Sequence, residues 1–94
     1  MKRKVEHNPS EGNFGIRIDD EYAYLWYSRK DRALSLDRVF VPASQRGLGV
    51  AEALTTAAFQ YCQKNDRKVI PVCPYITDKF LPEHPEWESL VLED

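Results

Sequence analysis

One stretch narrows the fold of this 94-residue chain more than any other: Val39–Asn65, reading VFVPASQRGLGVAEALTTAAFQYCQKN. It opens as an apolar strand, passes Pro42, turns at Gly47 and Gly49, and then changes period. Ala51, Leu54, Thr55, Ala58, Phe59 and Cys62 recur at helical spacing and form one apolar stripe. Asn65-Asp66 closes the helix, with Asn65 suited to a left-handed terminal conformation. The first N–H groups of such a helix have no intrahelical partner, and the helix dipole puts partial positive charge there. A phosphate is a natural occupant of that position.

The flanking segments read as support for this turn. Val5 to Ser10 is a short extended candidate, broken by Asn8-Pro9. Phe14-Gly15-Ile16-Arg17-Ile18 alternates as a half-buried strand does, and Asp19-Asp20 turns the chain. Tyr22 to Ser28 (YAYLWYS) is aromatic-rich, apolar on both faces and therefore central. After the turn Lys30-Asp31-Arg32, Ala33 to Val41 returns as a long strand, completing an antiparallel meander. Lys68 to Cys73 is a further strand, bounded by Pro71 and Pro74. Set next to Ala33–Val41, it is parallel to it, because the helix between them makes a crossover. Pro71 donates no ladder bond and fits where strands diverge. Tyr75 to Leu81 forms a short helical stretch. Beyond it lies an irregular end in which Trp87, Leu90 and Val91 pack back.

Composition sets the outer bounds. With 43% hydrophobic and 30% charged residues, residues 1–94 read as one globular domain whose core leans on its aromatic residues. A formal net charge of −2 with scattered Lys and Arg argues against nucleic-acid binding. The small basic cluster Lys2-Arg3-Lys4 reads as a solvated end. No apolar run approaches membrane-spanning length, and no secretory signal is legible. The expectation is a cytoplasmic protein with no membrane partner, in which Cys62 and Cys73 are free thiols. Oligomeric state stays between monomer and weak homodimer, since the aromatic strand is either covered within the chain or an edge for a second copy.

The turn Gln45-Arg46-Gly47-Leu48-Gly49-Val50-Ala51 is the most specific feature. Its glycines let backbone approach a ligand or bend unusually, Ala51 keeps the first helical turn small, and Arg46 offers charge to a phosphate. A P-loop is excluded by the missing Lys-Ser/Thr pair, and a dinucleotide-binding turn by Glu52 where a third glycine belongs. An ordinary strand-to-helix turn remains the competing explanation.

Arg46-x-x-Gly49-x-Ala51 after a strand ending in Val41-Pro42 resembles the coenzyme A pyrophosphate loop of GNAT-type N-acetyltransferases. Pro71-Val72-Cys73-Pro74-Tyr75, then Phe80-Leu81, then Pro85-Glu86-Trp87, is similar to a small single-domain branch of that family. The likeness runs from about Leu36 to Trp87 and more weakly over the N-terminal strands. It implies an α/β (α+β) fold: a mixed, mainly antiparallel sheet, one main helix after the glycine turn, and a shorter C-terminal helix. It also implies a function, transfer of acetyl from acetyl-CoA to an unidentified amine, on a small molecule or a protein. No metal is implied. The alternative is a CoA- or acyl-CoA-binding module without turnover that acts through a partner.

The resemblance assigns roles by position. Phe40 and Val41 would offer backbone groups to the pantetheine arm, and the N–H near Val41 would polarise the thioester carbonyl. Arg46, Gly47, Leu48, Gly49, Val50 and Ala51 would cradle the pyrophosphate, and the two parallel strands would splay to admit the arm. Cys73 would face the thioester as nucleophile or base, against the competing explanation of a small core hydrophobe. Tyr75 is a candidate general acid, against packing, and Phe80 would pack near the cofactor. A histidine common in this branch is replaced by Arg38 here, and neither His7 nor His84 stands in a motif position. Both read as surface residues, and Cys62 reads as core.

Overall fold

The computed structural model describes residues 4–92. Five strands, β1 (Glu6–Asn8), β2 (Asn13–Ile18), β3 (Glu21–Lys30), β4 (Ala33–Phe40) and β5 (Lys68–Pro71), form one sheet in sequence order. The first four are antiparallel neighbours, and β5 runs parallel to β4 across the long helix α1 (Val50–Lys64). This is the mixed, mainly antiparallel sheet expected from the sequence. A π-helical stretch, Ile76–Phe80, continues into one α-helical turn, α2 (Leu81–Glu83), and a 3-10 turn (Pro85–Leu90) follows. Of the basic cluster, Lys2 and Arg3 lie outside the described residues, and Lys4 is exposed.

One face of the sheet meets α1. The helix buries Val50, Leu54, Thr55, Ala58, Phe59 and Cys62 against Phe14, Ile16, Ala23, Leu25, Tyr27, Leu34 and Leu36. The 3.6-residue stripe and the period-2 strand faces thus close on each other, each buried large side chain contributing about 1.5–3 kcal/mol. Thr55, the polar member of the stripe, donates its hydroxyl to the Ala51 carbonyl at 2.8 Å. Cys62 lies fully inside as expected, and burial pushes its thiol up to about 11.

Several expectations need correction. β2 is more than half-buried: Asn13 through Ile16 are covered, Gly15 by the Tyr22 ring on the outer face, while Arg17 is exposed. β3 is central, but only Ala23, Leu25 and Tyr27 face the core. Its other face carries Tyr22 and Tyr24, half-buried, and Trp26, exposed, stacked in a row. The left-handed residue after α1 is Asp66 (φ 56°), while Asn65 caps through its side-chain amide on the Tyr61 carbonyl at 2.8 Å. β5 ends at Pro71 rather than Cys73. The Lys68 N–H bonds the Arg32 carbonyl and the Val72 N–H bonds Leu36, so even-numbered residues face β4. The Val69 carbonyl instead accepts from Leu92, which places the proline nitrogen of Pro71 on the outer edge.

The histidines are not simply surface residues either. His7 stacks on Phe14 at 4.2 Å, and its Nε2 lies 2.6 Å from the Tyr27 hydroxyl. His84 meets Glu52 at 2.6 Å and Glu86 at 3.4 Å.

Candidate functional site

β4 outruns its parallel neighbour. The β4–β5 register ends at Leu36 opposite Pro71, whereas β4 continues to Phe40. At that point the amides of Val72 and Cys73 share the single Leu36 carbonyl, at 3.2 and 3.1 Å. Two donors on one acceptor mark β5 turning away, and Pro74 then directs it into the C-terminal helical stretch. The result is a fork with Val39, Phe40 and Val41 on one side and the C-terminal wall on the other.

The chain leaves β4 through Pro42 and a 3-10 turn, Ala43–Gln45, held by Gln45 N–H to the Pro42 carbonyl at 2.9 Å. The Ser44 hydroxyl donates to Glu21, tying the turn to the start of β3. Arg46 donates its Nε–H to the Val41 carbonyl at 3.1 Å, which bends the loop back on the strand end. Gly47 (φ 81°) and Gly49 (φ 80°) then take left-handed conformations that cost any L-residue with a Cβ about 1–2 kcal/mol. A Cβ on either glycine would meet nothing within 4 Å, so the space above the loop is open.

Gly49 is the N-cap of α1 and has no side chain to cap it. The first intrahelical bond recorded at this end runs from the Ala53 N–H to the Gly49 carbonyl, at 3.0 Å. The N–H groups of Val50, Ala51 and Glu52 precede it and have no hydrogen-bond partner among the described residues, at the positive end of a 15-residue dipole.

These donors open onto a cleft of about 430 Å³, lined on the sheet and loop side by Val39–Val41, Gln45–Gly47 and Gly49–Glu52. The opposite wall is Tyr75, Lys79 and Glu83, spaced by four along one face of the C-terminal helical stretch. Burial first, and then the nearby carboxylates of Glu52 and Glu83 and the Cys73 thiol, push the Tyr75 phenol up to about 12. It therefore keeps its proton at any physiological pH. The carboxylates of Glu52 and Glu83 and the His84 imidazole lie within 4.8 Å of one another at the rim, with His84 bonded to Glu52.

Of the residues singled out from sequence, the cleft brings together Phe40, Val41, Arg46, Gly47, Gly49, Val50, Ala51 and Tyr75. Leu48, Cys73 and Phe80 are not among its lining residues. Leu48 points outward, half exposed. Cys73 belongs to the core cluster, and its carbonyl accepts the Ile76 N–H at 2.9 Å, starting the helical wall. Phe80 is buried and stacks on Phe59 at 5.3 Å. Sequence reasoning missed Val39, Gln45, Glu52, Lys79 and Glu83. The i, i+4 spacing of Tyr75, Lys79 and Glu83 was a visible signal for part of this set.

The chemistry of this donor set fits a diphosphate: free amides, a helix dipole, an arginine and an uncovered glycine loop. Residues 13–90 match the family described as GCN5-related N-acetyl-transferase. Protein NATD1 of Mus musculus is 31% identical over 85 residues, covering 87% of this chain and 76% of that protein. Protein NATD1 of Danio rerio is 31% identical over 90 residues, covering 93% and 81%. A solved structure, that of a GCN5-like protein from Staphylococcus aureus, superposes with a TM-score of 0.68 at 19% identity, over 97% of this chain and 89% of that one.

Proposed function

The chain belongs to the GCN5-related N-acetyltransferase family, and from that premise we propose that it binds acetyl-CoA at the start of α1 and transfers acetyl to an amine. The observation that carries this function is the uncapped first turn of α1 opening onto the cleft beside the β4–β5 fork. Acetyl-CoA, when bound, supplies the acetyl group as a thioester. The N–H groups of Val50, Ala51 and Glu52 and the Arg46 guanidinium take the diphosphate. Phe40 and Val41 border the path of the pantetheine arm with backbone groups, and the N–H near Val41 polarises the carbonyl in the manner of an oxyanion hole. Lys79 adds a second positive charge from the opposite wall.

Tyr75 acts on the departing sulfur, with a limit set by its acidity. A thiol ionises near 8.5 and this phenol at about 12, so full proton transfer is uphill by on the order of 5 kcal/mol. Tyr75 therefore stabilises the departing thiolate as a hydrogen-bond donor, and the proton itself comes from solvent. Cys73 lies in the core rather than on the cleft wall, which favours direct attack by the amine over a thiol relay.

Calorimetric titration with CoA is the first test. Binding is expected, with Arg46→Ala weakening it about tenfold, the worth of one charge-assisted hydrogen bond. No heat at high micromolar protein overturns the proposal. On a panel of amines, Tyr75→Phe is expected to lower kcat rather than raise KM, while Cys73→Ala leaves transfer within about threefold. CoA binding without acetylation of any amine would make the chain a CoA-binding module instead.

A further inference from the structure

The face of the sheet opposite α1 carries a constellation that the cleft does not use. Trp26 pairs with Arg38 and Tyr27 with Leu36, so β4 holds one extra residue, Asp37, at a bulge. Asp37 accepts hydrogen bonds from the hydroxyls of Ser28 (2.9 Å) and Ser35 (2.6 Å), which pair with each other across the strands. Ser28 shares a face with Trp26, two residues before it, and Arg38 lies directly opposite Trp26. The bulge therefore sets a carboxylate and a guanidinium side by side on the open face. Among the described residues neither belongs to a salt bridge.

An aromatic ladder joins this spot to the cleft. Trp26 stacks on Tyr24 at 4.9 Å, Tyr24 stacks on Phe40 at 5.3 Å, and Phe40 lines the cleft. Trp26, at the far end, is 46% exposed. Asp37 is also the first residue past the fork, where an arm entering between the strands runs out of room.

Resting on the function proposed above, we propose that the acetyl acceptor is a zwitterionic α-amino acid with an aromatic side chain, bound on this open face. Its ammonium meets Asp37, its carboxylate meets Arg38, and its ring lies against Trp26. Asp37 is held in place by two hydroxyls before anything binds, so little ordering is left to do. Arg38 presents the planar fork that matches a carboxylate, and the aromatic faces favour both an ammonium and a ring. A plain amine would meet Arg38 with no anion to offset it. Arg17, another cation on this face, is already engaged over the Tyr22 ring at 5.6 Å. Transfer releases one proton overall. The ammonium gives up two and the departing sulfur takes one, as the nitrogen–carbon bond forms and the carbon–sulfur bond breaks.

Three matched probes test this: L-phenylalanine, phenethylamine, which lacks the carboxylate, and 3-phenylpropanoate, which lacks the ammonium. Each is titrated into the CoA-loaded chain while the Trp26 indole N–H is followed by NMR, with Trp87 as internal control. L-Phenylalanine is expected to shift Trp26 and to bind at least about tenfold more tightly than either truncated probe. Asp37→Asn, which keeps the shape, is expected to weaken it by a similar factor. Arg38→Gln is expected to bring it down to the level of phenethylamine, whose own binding does not weaken. Equal response to all three probes, or an Asp37→Asn chain that binds L-phenylalanine within twofold of the parent, overturns the proposal. Heat with CoA but no Trp26 response overturns the acceptor site alone; no heat with CoA overturns the function on which it rests.

Discussion

Two histidines respond to pH with opposite signs. The hydrogen bond with Glu52, and to a lesser degree that with Glu86, holds His84 above its ordinary 6.5, against a smaller opposing push from burial. A histidine raised on folding contributes stability that is complete below 6.5 and is lost as pH climbs through its folded value. Burial, and then the Arg29 guanidinium, hold His7 below 6.5. Its contribution is complete above 6.5 and is lost as pH falls through the lowered value. Thermal melts from pH 5 to 9 should separate the two. His84→Gln is expected to flatten the alkaline decline only, and His7→Gln to flatten part of the acid decline only. A His84→Gln chain whose alkaline decline equals that of the parent would show that the Glu52 contact carries no linkage. The same contact ties α1 to the segment just after the cleft wall, so CoA affinity is expected to follow the alkaline limb as Glu52 loses its counter-charge beside the diphosphate seat. Neither partnership was visible in sequence, because Glu52 and His84 are 32 positions apart and meet only once the fork has turned the chain.

At the scale of elements, the start of α1 carries a sharp expectation. Gly49 sits at φ 80° with open space where a Cβ would go, so Gly49→Ala costs backbone conformation and nothing else. That is about 1–2 kcal/mol, read as a lower urea midpoint with an unchanged slope. Gly49→Asn is expected to cost less, since asparagine tolerates this region. An unshifted midpoint for the alanine variant would mean the left-handed cap is not needed in solution. This element was also the most legible one. A stripe from Ala51 to Cys62 at period 3.6 and a two-glycine turn depend on local geometry alone, and helix, loop and meander strands followed from such patterns. What escaped was set by neighbours. Apolar residues on both faces of Tyr22–Ser28 read as double burial, yet α1 packs on one face of β3, and on the other Tyr22, Tyr24 and Trp26 stack on one another. Asn65 is still the C-cap of α1, at φ −103°, and Asp66 after it is the residue that turns left-handed.

For the molecule as a whole, the question is what keeps β4 and β5 apart beyond Leu36. From sequence, Pro71 fits where the strands diverge, and it stands at the last paired position, opposite Leu36. The bonding parity shows that it does not itself part them. Lys68 and Val72 face β4, Val69 faces the edge where Leu92 bonds it, and Pro71 follows Val69. Its missing N–H is missing on the edge side, where it shields an otherwise open strand end from pairing with another chain. The fork is held instead from the far side. Val72 and Cys73 both bond Leu36, Pro74 cannot continue the ladder, and Ile76 and Phe80 anchor the helical wall in the core. Pro71→Val is therefore expected to leave CoA affinity within about twofold of the parent, since no donor is added on the side of β4. The added donor should instead raise the tendency to associate through the β5 edge, measurable by sedimentation at increasing concentration. A tenfold loss of CoA binding in that variant would mean that the proline does hold the fork open, and that the parity of β5 shifts when the cleft fills.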